Sequence, residues 1–213
     1  MWQKTIDLWM LLFLLGLLVL GIWYLYWDNN RASIPATVQA SPSNSNTSFH
    51  FPIFPIYLQD DPRWKDDKMG GSEETLGQAG CFVTCVSMAL FHHGIDLPPK
   101  HLNELLKSYN GYTQQGWVKW DTVSEITDHQ IVLQAPNHPR FAEIDAALRA
   151  DEPILAKILL YDRIYHWVLI VGKVGPDYWV KDPLGEGRTL DRLSQFKSKI
   201  YAIRIVKKIS AVR

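Results

Sequence analysis

CFVTCVSMALFHHG, residues 81–94, is the stretch on which the fold turns. Its apolar residues fall on nearly every side of a helical wheel, and Ala, Met and Leu are too frequent for a strand. Gly94 supplies the residue with which helices commonly stop. The stretch reads as a buried helix with Cys81 in its first turn, and such a helix needs a sheet or other helices to cover it.

Toward the C-terminus the pattern supplies both. A second helix starts near Pro98 or Pro99 and carries Leu102, Leu105 and Leu106 on one face. A third spans roughly Phe141 to Ala150. PILAKILLY (153–161), YHWVLIVGKV (165–174), DYWVKD (177–182) and KIYAIRIVK (199–207) then read as strands, with a short helical stretch around Leu190 to Phe196. The loops between them are short, which implies antiparallel neighbours. The expected domain is α+β, with the helix of Cys81 packed on the sheet.

Toward the N-terminus, DDPRWKDDKMGGSEETLGQAG (60–80) reads as a long polar loop, and FPIFPIYLQ (51–59) as an extended, proline-punctuated strand leading into the domain. Farther back, LWMLLFLLGLLVLGIWYLYW (8–27) carries no charge. Twenty residues at about 1.5 Å each reach roughly the 30 Å of a hydrocarbon core. Trp2 and Trp9 at one end, and Trp23, Tyr24, Tyr26 and Trp27 at the other, match interfacial aromatic belts. A cleaved signal peptide has a shorter apolar core that ends in small residues, so an uncleaved transmembrane helix is expected. Lys4 and the amino terminus lie on one side and Arg31 on the other, which favours a single-pass chain with its C-terminal domain outside the cytoplasm. The division expected is an anchor at 1–28, a flexible linker at 29–55 rich in Ser, Asn, Pro and Thr, and a folded domain at 56–210.

The 213 residues carry 22 Lys and Arg against 22 Asp and Glu, without a basic stripe, so nucleic acid is not an expected partner. The two cysteines, Cys81 and Cys85, lie one helical turn apart, where a bridge constrains little. Neither HExxH, paired CxxC, an EF-hand loop, GxSxG nor a glycine-rich phosphate loop occurs, and no metal or cofactor is expected.

A nucleophilic cysteine needs its thiolate, favoured by the positive end of a helix and by a histidine that holds the proton. Cys81 has the first by position, whereas Cys85, deeper among Val86, Met88 and Ala89, reads as a core thiol. For the second, a hairpin turning at Gly175 and Pro176 and centred near Val174 sets His166 opposite Asp182, on one face. Asp182 then orients the imidazole and leaves its other nitrogen for Cys81. A bulge in that hairpin shifts the register by one and removes the pairing. His92 and His93 end the Cys81 helix, where a cation complements the dipole. His50, His101, His129 and His138 lie in polar stretches. Trp117, Trp120 and Tyr112 are candidate cleft residues, or equally core ones.

YLQDDPRW, LGQAGCFVTCVSMAL, PPKHLNELL, IDAALRADEPILAKI, HWVLIVG and WVKDPLG, in that order over about Ile56 to Val206, resemble cysteine peptidase family thirty-nine. That papain-like group includes bacteriocin leader peptidases, and the resemblance is nearest to its bacterial extracellular branch. It implies a papain-like fold with a catalytic Cys81, His166 and Asp182. The chain departs from leader peptidases at Phe82, where they have Gly, and at Thr75, where they have the oxyanion-hole Gln. Gln59 or Gln78 takes that place, Gln59 being preferred. The expected partner is a peptide or a peptidoglycan-derived substrate. The alternative is a silent peptide-binding module on the same fold.

Overall fold

The structure, a computed structural model, describes residues 34–35, 48–51, 54–137, 139–187 and 189–209. The apolar run 8–27 lies outside the described residues, and with it the expected anchor and most of the linker. Among the described residues no helix is long and apolar enough to cross a membrane.

Five helices occur among them: α1 (Leu76–Ala79), α2 (Cys81–His92), α3 (Pro99–Ser108), α4 (Trp120–Ile126) and α5 (Phe141–Arg149). The strands are β1 (Ile34–Pro35), β2 (Ser48–His50), β3 (Ile131–Gln134), β4 (Ile154–Leu160), β5 (Ile164–Val174), β6 (Asp177–Lys181), β7 (Asp191–Arg192), β8 (Lys199–Ile200) and β9 (Ala202–Lys208). The main sheet runs β3-β9-β4-β5-β6-β7, and every pairing in it is antiparallel. A 3₁₀ turn, Leu193–Phe196, takes the place of the helical stretch expected there. The fold is thus α+β, as its sequence pattern implies.

Helix α2 is the centre of the core. Every residue from Phe82 to Leu90 is buried, as the all-round apolar pattern requires. It packs on β5, where Val168, Leu169, Ile170 and Val171 are fully covered, and on β4 and β9. At about 2 kcal/mol for each large aliphatic side chain removed from water, this layer is the main source of stability. Pro99 opens α3 at the first helical position, where its missing N–H costs nothing.

Two differences from the sequence reading concern the domain's N-terminal side. Among the described residues of the segment 51–59, none joins a ladder as a strand. The segment contributes single contacts instead: Phe51 N–H to Val171 O at 2.9 Å and Gln59 N–H to Pro183 O at 2.9 Å. The linker expected at 29–55 also ends in structure, because Ser48–His50 pairs antiparallel with Gly172–Val174, and Ile34–Pro35 with Lys199–Ile200. Composition missed this because edge pairing uses backbone groups, to which side-chain polarity is indifferent. Gly172 is what admits β2, since a Cβ there would lie 2.3 Å from Phe49 O.

The hairpin β5–β6 positions the site. Val174 pairs with Asp177, Lys173 with Tyr178 and Gly172 with Trp179; then the register shifts, and Ile170 pairs with Val180 and Leu169 with Lys181. Val171 is an additional residue on one strand, a β-bulge. The hairpin is therefore centred on Gly175–Pro176, not on Val174. Carried through without a bulge, its register would set Asp182 opposite Leu169, on the face away from His166. With the bulge, Asp182 follows Lys181 into the position opposite Val168, and Val168 and His166 share a face. The bulge that was expected to separate the pair is what brings it together, as a diagonal rather than a direct one.

Candidate active site

Cys81 is the first residue of α2, and Gly80 alone separates it from α1. That join demands glycine, because a Cβ at Gly80 would sit 2.4 Å from Leu76 O. The first helical bond of α2 is Thr84 N–H to Gly80 O at 2.9 Å. The amides of Cys81, Phe82 and Val83 thus stand at the electropositive end of a twelve-residue helix without an intrahelical acceptor. Cys81 is partly exposed; Cys85, one turn on, is buried and its Sγ–H donates to Trp167 O at 3.4 Å. Burial first, then the charges of Cys81 and Asp182, push the Cys85 thiol well above the usual cysteine range. Cys85 is a core thiol.

His166 is buried, and its Nε2 lies 2.6 Å from Asp182 Oδ1. The side chain and charge of Cys81 also act on this ring. Since Nε2 is engaged by the carboxylate, Nδ1 is the nitrogen left for the sulfur. Burial is the largest single influence on the imidazole and disfavours its cation. The hydrogen bond to Asp182, the hydrogen bond and charge of Cys81, and the charge of Asp182 together outweigh burial and lift the pKa of His166 to about 9. Asp182 Oδ1 also accepts the amide of Leu184 at 2.9 Å, an Asx-type turn through Pro183.

The two glutamines are placed very differently. Gln59 is buried; its Nε2 donates to Gly77 O at 2.9 Å, and its Oε1 has no partner among the described residues. It joins the loop after Asp182, through Pro183 O, to the turn that leads into Cys81. Gln78 is exposed, and its Oε1 accepts the Thr75 amide at 3.0 Å, so it serves the start of α1. A cavity of about 410 Å³ opens beside Asp182, lined by Gly185, Glu186, Thr189, Asp191, Gln195 and Phe196. Burial first, then the charges of Asp182 and Glu186, raise the Asp191 carboxyl above the ordinary range.

The other candidates have structural partners. His92 packs against Phe51 at 4.5 Å and Phe54 at 5.3 Å and bonds to Asp151 Oδ1 at 3.1 Å. His93 Nε2 meets Val206 O at 2.9 Å, and burial is the main cause of its lowered pKa. His50 lies 2.9 Å from Phe51 O and His129 3.3 Å from Ser124 Oγ, while His101 is exposed. His138 lies outside the described residues. Tyr112 belongs to the core and donates its hydroxyl to Asn103 Oδ1 at 2.7 Å. Trp120 covers the Arg204 guanidinium at 3.5 Å, and Trp117 is 71% exposed.

Residues 54–204 match the Peptidase_C39 like family. No curated protein matches the chain. Among solved structures, a proposed C39-like peptidase from Bacillus anthracis is similar over 77% of this chain and 100% of its own, at 13% identity and a TM-score of 0.47. The family match spans well over half of the sequence, and by it the chain belongs to the Peptidase_C39 like family and is a cysteine peptidase.

Proposed function

We propose that the protein cleaves an amide bond in an extracytoplasmic peptide or peptidoglycan-derived substrate, with Cys81 as nucleophile, His166 as acid and base, and Asp182 as the group that orients His166. The observation that carries this reading is one buried imidazole bonded at 2.6 Å to a carboxylate, with the thiol at the start of α2 among the groups that raise its pKa. The Cys81 thiolate attacks the carbonyl carbon and forms a C–S bond. The carbonyl oxygen takes the negative charge, facing the Cys81 amide and the second N–H of Gln59 Nε2. The His166 imidazolium gives its proton to the leaving nitrogen as the C–N bond breaks, which leaves a thioester. Water, deprotonated by His166, then attacks the thioester, the C–S bond breaks, and the thiolate–imidazolium pair returns with release of a carboxylic acid.

In the same reading, residues 8–27 hold the domain at the outer face of a membrane, supported by their length, lack of charge and flanking aromatics. Digestion of intact cells or spheroplasts with an external protease tests this. Removal of the C-terminal domain with retention of a small membrane fragment is expected, and full protection overturns the orientation.

Labelling of the full-length chain with an iodoacetamide probe between pH 5 and 10 tests the chemistry. Cys81 is expected to react near neutral pH well above its rate in the urea-unfolded chain, and Cys85 not to react. A Cys81 no faster than in the unfolded chain would leave a silent binding module in place of the enzyme.

A further inference from the structure

Two exposed aliphatic residues lie close to His166 in the fold, one on its own strand and one in the turn after Asp182. The β4–β5 ladder is regular throughout, pairing Leu160 with Ile164, Leu159 with Tyr165 and Ile158 with His166. Ile164 therefore shares a face with His166, two residues along the strand at about 6.7 Å. Ile164 is 62% exposed. In the turn after β6, Leu184 donates its amide to the Asp182 oxygen that His166 also meets, and is 48% exposed. Behind Ile164 the hairpin tip holds Tyr161 and Asp162 at φ of 52° and 55°, a left-handed conformation that costs a non-glycine residue on the order of 1 kcal/mol. The tip is thus kept in place against its local preference.

We propose that Ile164 and Leu184 form the subsite that receives an aliphatic side chain of the substrate on the amine side of the cleaved bond. The assignment of side rests on the peptidase reading above. An imidazolium that protonates the departing nitrogen must lie against it, and the side chain carried next to that nitrogen then falls on the residues flanking the ring. Both flanking residues offer methyl groups and no charge. Covering them with an aliphatic group removes apolar area from water on both partners, and a polar group there gains nothing.

Two arms test this on the full-length chain in detergent micelles. In the first, the Cys81→Ala variant with labelled Ile and Leu methyls is titrated with leucinamide and with glycinamide. Leucinamide is expected to shift the Ile164 and Leu184 signals and to bind at least fivefold more tightly than glycinamide; equal affinities, or shifts confined to other residues, overturn the subsite. In the second, the wild-type chain digests a peptide mixture, with the residue after each cleaved bond read by mass spectrometry. Leu, Ile and Val are expected there. Ile164→Asp and Leu184→Asp should lower the kcat/KM ratio of Leu over Ser at that position at least tenfold. An unaltered profile in both variants sinks the proposal. A wild-type chain that cleaves nothing, with an unreactive Cys81, sinks the peptidase reading instead, and the methyl titration still decides whether the apolar subsite exists.

Discussion

Cys81 and Cys85 lie on the same helix, one turn apart, and the chain treats them as different substances. Cys81 begins α2, is partly exposed and meets an imidazole; Cys85 is sealed into the core against Trp167 O, and its thiol is pushed well above the usual range by burial. Four residues of helix separate a partly exposed thiol at the electropositive helix start from one whose ionisation burial opposes. Place on the helix, and not residue type, makes the difference.

The most severe way to break that contrast is to exchange the two roles. Cys81→Ala is expected to lower kcat/KM on any cleaved peptide by about 10⁴-fold or more, as for a lost nucleophile. Cys85→Ala should leave the rate within about threefold. If Cys85→Ala were the variant that lost activity, the nucleophile would be misassigned. Next in size is Asp182→Asn, which removes the chief opponent of burial at His166. Its pKa, about 9 in the native chain, should fall by more than one unit, followed by NMR titration of the ring. The high-pH limb of activity should move down with it, and the rate should drop on the order of 10²-fold.

Stability carries the same signature. The folded pKa of His166 exceeds its ordinary 6.5, so the imidazolium stabilises the fold fully below pH 6.5, and that contribution disappears as pH rises through about 9. Urea midpoints of the wild type and His166→Gln should therefore differ most near pH 6 and converge toward pH 10. On the core side, Cys85→Ala should cost about 1–2 kcal/mol in urea unfolding, the loss of a small buried group. The smallest change concerns Thr84, between the two cysteines, whose buried hydroxyl has no hydrogen-bond partner among the described residues. Thr84→Val is expected to be neutral or to stabilise by less than about 1 kcal/mol, because it removes an unsatisfied group at nearly constant volume.

What the sequence disclosed and what it hid divide along the same physical line. Helix α2 was legible because nine consecutive buried residues need no knowledge of their neighbours to read as core. The strands β4, β5, β6 and β9 were legible from apolar runs of the right length, and the Cys81, His166 and Asp182 positions from chemistry plus order. Features that depend on backbone pairing were not. Ser48–His50 carries no strand pattern, and its hydrogen bonds come from the far end of β5. The short helices Leu76–Ala79 and Trp120–Ile126 and the edge strand Ile131–Gln134 are too brief for periodicity to speak. Gln59 and Gln78 could not be separated by spacing, since only three-dimensional placement shows one buried across the loop after Asp182 and the other spent on Thr75.

The extra residue at Val171 also imposes a counting rule on the chain. A single insertion or deletion within the paired strands between His166 and Asp182 would present the carboxylate to the wrong side of the ribbon, whereas changes by two would restore it and a longer turn need not disturb it. Relatives that lack this protrusion should therefore differ from this chain by an odd number of residues within those strands, or draw the partner of their histidine from elsewhere.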